Sequence, residues 1–374
     1  MKRFLVLLLV LFSANLAAQG TPTPPQVAAR AYVLYDFQAQ QILAADNPDE
    51  RFEPASLTKL MTAYVVFSAL KAKTLKPDQV VPVSRVAYKA EGSRMFIDPA
   101  IPVTIDELLR GMIVQSGNDA SIALAEAVAG SEESFAQLMN KEAKRLGLAN
   151  THFTNSTGLP DSQQYSTAAD LAKLATALIR DHAEFYPLYS IKEYTYNNIK
   201  QPNRNRLLFS DPSVDGVKTG HTKNAGYCLI SSAKRGERRL VSIVLGAKTG
   251  LARSAESQKL LNFGFQFYET VRLYERGKPI SSLAVWKGAT DTLNAGFERD
   301  LFFTLPKGQA GKLKATLESQ QPLIAPIAAG QRVGTMKITL EDRTLAEVPV
   351  VAIEQVETGG IFVRTWDSLR LLFK

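Results

Sequence analysis

Strand-like segments stand at both ends of residues 31–245, and helical patterns fill most of the space between them. Ala31-Tyr32-Val33-Leu34-Tyr35-Asp36 and Gln41-Ile42-Leu43-Ala44 flank a short polar link, as the arms of a hairpin do. Asp215 to Gly220, Ala225 to Ser232 and Leu240 to Leu245 carry the same texture at the far end. Ser56 to Leu70, Thr104 to Met112, Asp119 to Ala129 and Glu132 to Leu146 read as helices. A fifth helix starts at Ser166 or Thr167, either of which can cap it, and residues 256–270 read as helical again. That order predicts an α+β fold, with N- and C-terminal segments completing one antiparallel sheet flanked by helices.

Beyond residue 272 the texture changes. Ile280 to Trp286, Leu301 to Leu305, Leu313 to Glu318, Val333 to Leu340 and Ala346 to Ile353 alternate or run apolar between turn signals. They predict a small all-β domain over 272–357, read as a spacer because it carries no catalytic constellation. In the last segment, 358–374, Ile361, Phe362, Trp366, Leu369, Leu372 and Phe373 share one helical face, while Arg364, Asp367, Arg370 and Lys374 share the other. Aromatic residues on the apolar face and net positive charge on the polar face suit a helix lying in a membrane interface.

Residues 1–20 have a basic start at Lys2-Arg3, an apolar run from Phe4 to Leu16 and small residues at Ala17-Ala18. That is the three-part pattern of a secretory signal peptide, and its apolar run falls short of the roughly 20 residues a membrane span needs. The rest, 21–271, is the first folded domain. The net charge of +8 falls to +6 without Lys2 and Arg3. No Lys/Arg run is long enough to mark a nucleic-acid stripe, and mild basicity suits an anionic envelope surface. Cys228 is the only cysteine, so no intramolecular disulfide can form, and its apolar surroundings mark it as a buried hydrophobe. His152, His182 and His221 are the only histidines and show no ligand spacing; neither metal nor cofactor is expected.

Three short motifs carry chemistry: Ser56-Leu57-Thr58-Lys59, Ser116-Gly117-Asn118 and Lys218-Thr219-Gly220. Ser56 and Lys59, three apart on a helix beginning after Pro54, share a face. A serine hydroxyl becomes a strong nucleophile once a nearby base takes its proton, and Lys59 can be that base only when neutral. Burial in the run Leu57 to Val66 lowers a lysine below its usual 10.4 or so, as does a second cation, for which Lys218 is the candidate. The backbone N–H of Ser56 and one from the strand at His221 can form an oxyanion hole. Ser116 can relay a proton, and the Asn118 amide can hold Lys59 and a substrate carbonyl. Gly220 lets a peptide lie along its strand, where Lys218 and Thr219 meet an anionic end group. Strict alternation points those two side chains to opposite faces, so sharing one cleft requires the strand edge to twist.

Pro54-Ala55-Ser56-Leu57-Thr58-Lys59, Gln115-Ser116-Gly117-Asn118-Asp119-Ala120 and Val214-Asp215-Gly216-Val217-Lys218-Thr219-Gly220-His221-Thr222, with Leu146-Gly147-Leu148 through Thr151-His152-Phe153, resemble the D-alanyl-D-alanine carboxypeptidases of the low-molecular-weight penicillin-binding proteins. The resemblance runs from about Ala31 through the tail. It implies a β-lactamase/transpeptidase-like catalytic domain, a C-terminal β-domain and peripheral attachment to the periplasmic face of the cytoplasmic membrane. It also implies that Arg253, in Leu251-Ala252-Arg253-Ser254-Ala255-Glu256, helps bind the substrate's terminal carboxylate. The implied reaction is removal of the last D-alanine from peptidoglycan pentapeptides through a Ser56 acyl-enzyme, with β-lactam antibiotics as covalent inhibitors. Alternatives are a D,D-endopeptidase on cross-linked peptidoglycan, a β-lactamase, and a non-catalytic β-lactam- or wall-binding protein. Class A β-lactamases add a glutamate for deacylation, and none follows Asn155 before Asp170.

Overall fold

The computed structural model describes residues 22–341 and 343–373; the proposed signal peptide lies outside them. β1 (Ala31–Asp36) and β2 (Gln41–Asp46) form the expected hairpin. They join β3 (Val214–Thr222), β4 (Gly226–Arg235) and β5 (Arg238–Ala247) in one antiparallel sheet of order β2-β1-β5-β4-β3. The chain's early hairpin is thus zipped to a late meander, Val33 opposite Ile243.

Alternation along these strands builds two cores. Val33, Ile230 and Ile243 pack beneath α1 (Lys59–Lys71), α3 (Asn118–Ala129), α4 (Glu132–Arg145) and α5 (Ala168–Asp181), with the short α2 (Ile105–Arg110) beside them. Leu34, Leu229 and Val244 point the other way, against Leu260, Leu261 and Phe263 of α6 (Gly250–Phe267). Both faces of the sheet are therefore covered, and the helices start where capping side chains stop the preceding loops. Thr104, Ser131, Thr167 and Thr249 each accept a bond from a backbone N–H of the first turn.

The helix expected over 256–270 ends at Phe267, and β6 (Tyr268–Tyr274) begins at once. Tyr268, Thr270, Val271 and Tyr274 favour a strand, and the decisive partner arrives later in the chain as β9 (Leu301–Pro306). Between them lie β7 (Ser281–Trp286) and β8 (Thr292–Gly296), and beyond them β10 (Leu313–Ser319), β11 (Leu323–Ile324), β12 (Arg332–Leu340) and β13 (Arg343–Ala352). These six form a second sheet of order β10-β12-β13-β8-β7-β11 around Leu293, Val333, Ile338 and Val350. Buried Asp36 ties the two halves together: its carboxylate accepts from Arg238 at 3.1 Å and from Thr270 Oγ1 at 2.6 Å. The chain ends in α7 (Ile361–Leu371).

Candidate active site

Ser56 sits in a single 3-10 turn, Ala55–Thr58, and Lys59 is the first residue of α1. A 3-10 turn eclipses side chains at i and i+3, so the pair is aligned more closely than a regular helix would set it. Lys59 Nζ lies 3.1 Å from Ser56 Oγ, 2.7 Å from Asn118 Oδ1 and 2.5 Å from the Thr157 carbonyl oxygen. The side chain is 1% exposed. Burial, with the Arg204 charge as a second cause, pulls its ammonium down to about 7. Arg204, which no motif marked, is thus a second cation acting on Lys59; Lys218, the candidate the motifs suggested, interacts with the same amine, for the Lys59 charge lowers the Lys218 ammonium.

The other two motifs close on this pair. A widened, π-helical turn over Gly111–Gln115 delivers Ser116 in a left-handed conformation (φ 69°), and α3 starts at Asn118. Non-glycine residues in that conformation are uncommon and cluster where a fold fixes a functional side chain. Ala55, next to Ser56, shares it with φ 48°. Asn118 accepts from Lys59 and donates through Nδ2 to the Glu91 carbonyl at 2.7 Å, so one of its two amide N–H groups is committed. Behind it, the Asp119 carboxylate accepts from the backbone N–H groups of Met95, Phe96 and Ile97 and pins that loop beside the cleft.

β3 is an edge strand, and it forms the opposite wall. Thr219, Gly220 and His221 line the cleft together with Ser56, Ser116 and Asn118. Lys218 takes the other side of the strand. Its Nζ is buried, donates to Ser116 Oγ at 2.8 Å and to the Thr219 carbonyl at 3.1 Å, and does not line the cleft. Alternation therefore holds: Thr219 faces the cleft, while Lys218 meets Ser116 from beneath. Burial, followed by the Lys59 charge, lowers the Lys218 ammonium well below its usual value. Arg253, in the first turn of α6, donates to the carbonyls of Gly220 and Cys228 at 3.1 and 3.3 Å and reaches the same cleft. The His221 ring lies against that of Tyr227, tilted by 31° with centroids 4.1 Å apart, and both residues line the cleft.

Residues 18–249 match the family described as D-alanyl-D-alanine carboxypeptidase, and 268–358 match the C-terminal domain of penicillin-binding protein 5. The chain belongs to the D-alanyl-D-alanine carboxypeptidase family. It is 46% identical to the D-alanyl-D-alanine carboxypeptidase DacC of Escherichia coli, over 96% of this chain and 91% of the relative. Penicillin-binding protein 5 of Haemophilus influenzae superposes with a TM-score of 0.87 at 43% identity, over 90% of this chain and 99% of that one. The ampicillin-bound penicillin-binding protein D2 of Listeria monocytogenes superposes with a TM-score of 0.60 at 33% identity, over 64% of this chain and 98% of that one.

Two groups in this family member's cleft carry no motif. Arg204, in Gln201-Pro202-Asn203-Arg204-Asn205, lines the cleft and adds a positive charge. Its loop is shaped by its neighbours: Asn203 accepts from the Asn205 N–H, and Asn205 Nδ2 donates to the Gly216 carbonyl at the start of β3. The Thr157 carbonyl is the other. The lining residues include Arg204 and Arg253 and no carboxylate, so the cleft attracts an anion.

Proposed function

We propose that this chain is a serine-type D-Ala-D-Ala carboxypeptidase that removes the terminal D-alanine of peptidoglycan pentapeptides through a Ser56 acyl-enzyme. The observation that carries the reading is the hydrogen-bond count at Lys59. A neutral amine has two N–H donors and one lone pair. Asn118 Oδ1 and the Thr157 carbonyl are two acceptors, and the remaining contact is the Ser56 hydroxyl. The lone pair is thereby aimed at the one proton it must remove.

Ser56 Oγ attacks the carbonyl carbon of the penultimate D-Ala as its proton passes to Lys59. The oxyanion meets the backbone N–H groups of Ser56 and His221. When the C–N bond breaks, the proton returns through Ser116, hydrogen-bonded to Lys218, to the leaving amine. Thr219 and Arg253 hold the departing carboxylate, Gly220 lets the peptide lie along β3, and Lys218 and Arg204 add positive potential. Water then attacks the ester and frees Ser56. β-Lactams acylate the same serine because their closed ring mimics the D-Ala-D-Ala end. Among the described residues, none of those lining the cleft is a glutamate of the kind class A β-lactamases use for deacylation, which favours the peptidase over that alternative.

The same reading divides the chain into a signal peptide over 1–20, a peptidase domain over 21–271, a β-domain over 272–357 and a membrane-seated helix over 358–374. No described helix is long and apolar enough to cross a membrane. α7 supports interfacial seating on the periplasmic face. Ile361, Phe362 and Trp366 on it, and Leu372 and Phe373 just beyond it, are all more than 60% exposed, while Asp367 turns inward and accepts from the Lys287 N–H at 2.6 Å.

Intact-mass and peptide analysis after penicillin treatment tests the chemistry. One adduct is expected, on the peptide holding Ser56, with D-Ala release from a pentapeptide lost in step. An adduct on any other residue would remove Ser56 as the nucleophile.

A further inference from the structure

Thr157 belongs to a turn that carries no catalytic side chain, yet its carbonyl approaches Lys59 Nζ more closely than any other group. Its position is set one residue earlier. Ser156, fully buried, has all three of its polar groups engaged. Its N–H and Oγ–H both donate to one oxygen, Oε1 of Glu132, at 2.9 and 2.5 Å. Its carbonyl accepts from Thr62 Oγ1 at 2.6 Å. Thr62 is three residues after Lys59 on α1, and Glu132 is the first residue of α4. The Ser156 peptide is therefore clamped between two helices, with the next carbonyl directed at the amine. On the far side, Asn155 Oδ1 accepts from Thr157 N–H, Thr157 Oγ1 and Gly158 N–H at 3.2, 3.0 and 2.7 Å, which fixes the turn's own shape.

We infer that Glu132 is a positioning residue for the reaction: through Ser156 it holds the Thr157 carbonyl against Lys59 and so keeps the lysine lone pair on Ser56. This rests on the proposed Ser56–Lys59 chemistry. An unclamped turn would let the carbonyl drift, and the amine would spend part of its time pointing an N–H at the serine. A displacement of about 1 Å at such a contact costs up to a hundredfold in rate.

Glu132 acts on Lys59 in a second way, through its charge. The groups facing Lys59 are Arg204 from the 203–206 loop, Lys218 from β3, Asp119 from α3 and Glu132 from α4. The two cations favour the neutral amine, and the two carboxylates favour the ammonium. Removing the Glu132 charge while keeping its acceptor oxygen lowers the pH at which Lys59 loses its proton. A residue that merely braces the fold would not move that pH.

The experiment compares wild type, Glu132→Ala and Glu132→Gln in the full mature chain, reading the second-order rate of acylation by a penicillin from pH 5 to 9, with thermal midpoints alongside. Glu132→Ala is expected to acylate at least about tenfold more slowly while still labelling Ser56. Glu132→Gln, which keeps an oxygen for Ser156, should recover to within about threefold of wild type, with its acid limb moved to lower pH. Folded Glu132→Ala acylating at the wild-type rate overturns the inference, and so does Glu132→Gln with an unmoved acid limb. Should Glu132→Ala fail to fold, the Gln variant decides alone. If wild type fails to label Ser56, the underlying chemistry is wrong; if wild type labels Ser56 and the variants match it, only the role of Glu132 is lost.

Discussion

Lys59 shows how one residue's surroundings set a working pH. In water its ammonium would hold its proton until about pH 10.4, leaving almost no neutral amine at neutral pH. Burial and Arg204 bring that point down to about 7, so the base is half available near neutrality. The sign follows directly: acylation needs the neutral form, so its rate should rise with pH through about 7 and then level off. Stopped-flow acylation by a chromogenic β-lactam from pH 5 to 9 reads this, and a rise centred near 10 would contradict it. Lys59→Arg cannot supply a neutral base, so acylation should fall at least about a hundredfold, and the larger, permanently charged group in a site that is 1% exposed should also lower the thermal midpoint. The motifs indicated Ser56, Lys59, Ser116, Asn118, Lys218, Thr219, Gly220 and His221, the family resemblance added Arg253, and the fold brings all nine to one place. Arg204 and Thr157 were not legible. A carbonyl is common to every residue, and an arginine between asparagines becomes part of a site only when its loop returns to the cleft.

At the scale of elements, the turn carrying Ser56 is held by contacts that leave no room for a side chain. A Cβ on Gly158 would lie 1.8 Å from the Ala55 carbonyl oxygen, in a backbone with φ +85°. Gly147 has nearly the same conformation, φ +70°, and open space around it. The two positions separate backbone strain from collision. Gly147→Ala should cost about 1–2 kcal/mol in thermal or urea unfolding and leave acylation unchanged. Gly158→Ala should cost clearly more and slow acylation by about tenfold or more, because the Ala55–Thr58 turn must move. Equal losses in the two variants would mean the turn yields without consequence for Ser56. Helix starts were readable because caps are local: Thr167 accepts from Asp170 as its position suggested. The π-helical turn over Gly111–Gln115 was not. Nothing in Gly-Met-Ile-Val-Gln marks a widened turn; its setting is tertiary, with Met95 packed so tightly on Gly111 that a Cβ there would lie 2.1 Å from the sulfur.

Across the whole molecule, one arrangement would set where the cleft stands relative to the proposed membrane surface. Asp36, on the first strand, binds Arg238 at the start of β5 and Thr270 on β6, so the sheet behind the cleft and the β-body share one buried knot. The order of strands and helices foretold the two bodies; this knot required Asp36 to meet two residues more than two hundred positions further along, Arg238 and Thr270, which no local pattern encodes. At the other end of the β-body, α7 is held by Asp367 on the Lys287 N–H, by Arg370 over the Trp286 ring and by Gly359 donating to the Lys287 carbonyl. Its apolar side chains stay exposed beside these contacts, as the proposed seating in lipid requires. Trp366 and Leu369 are among them, and burying such side chains contributes about 1.5–3 kcal/mol each. Trp366→Glu combined with Leu369→Glu should therefore weaken binding to vesicles containing phosphatidylglycerol by at least about a hundredfold. Acylation of Ser56 in solution should not change, because α7 contributes nothing to the cleft. Sedimentation with vesicles reads the first quantity and penicillin labelling the second. Undiminished sedimentation would place the membrane contact elsewhere on the chain, and lost labelling would mean that α7 supports the catalytic body.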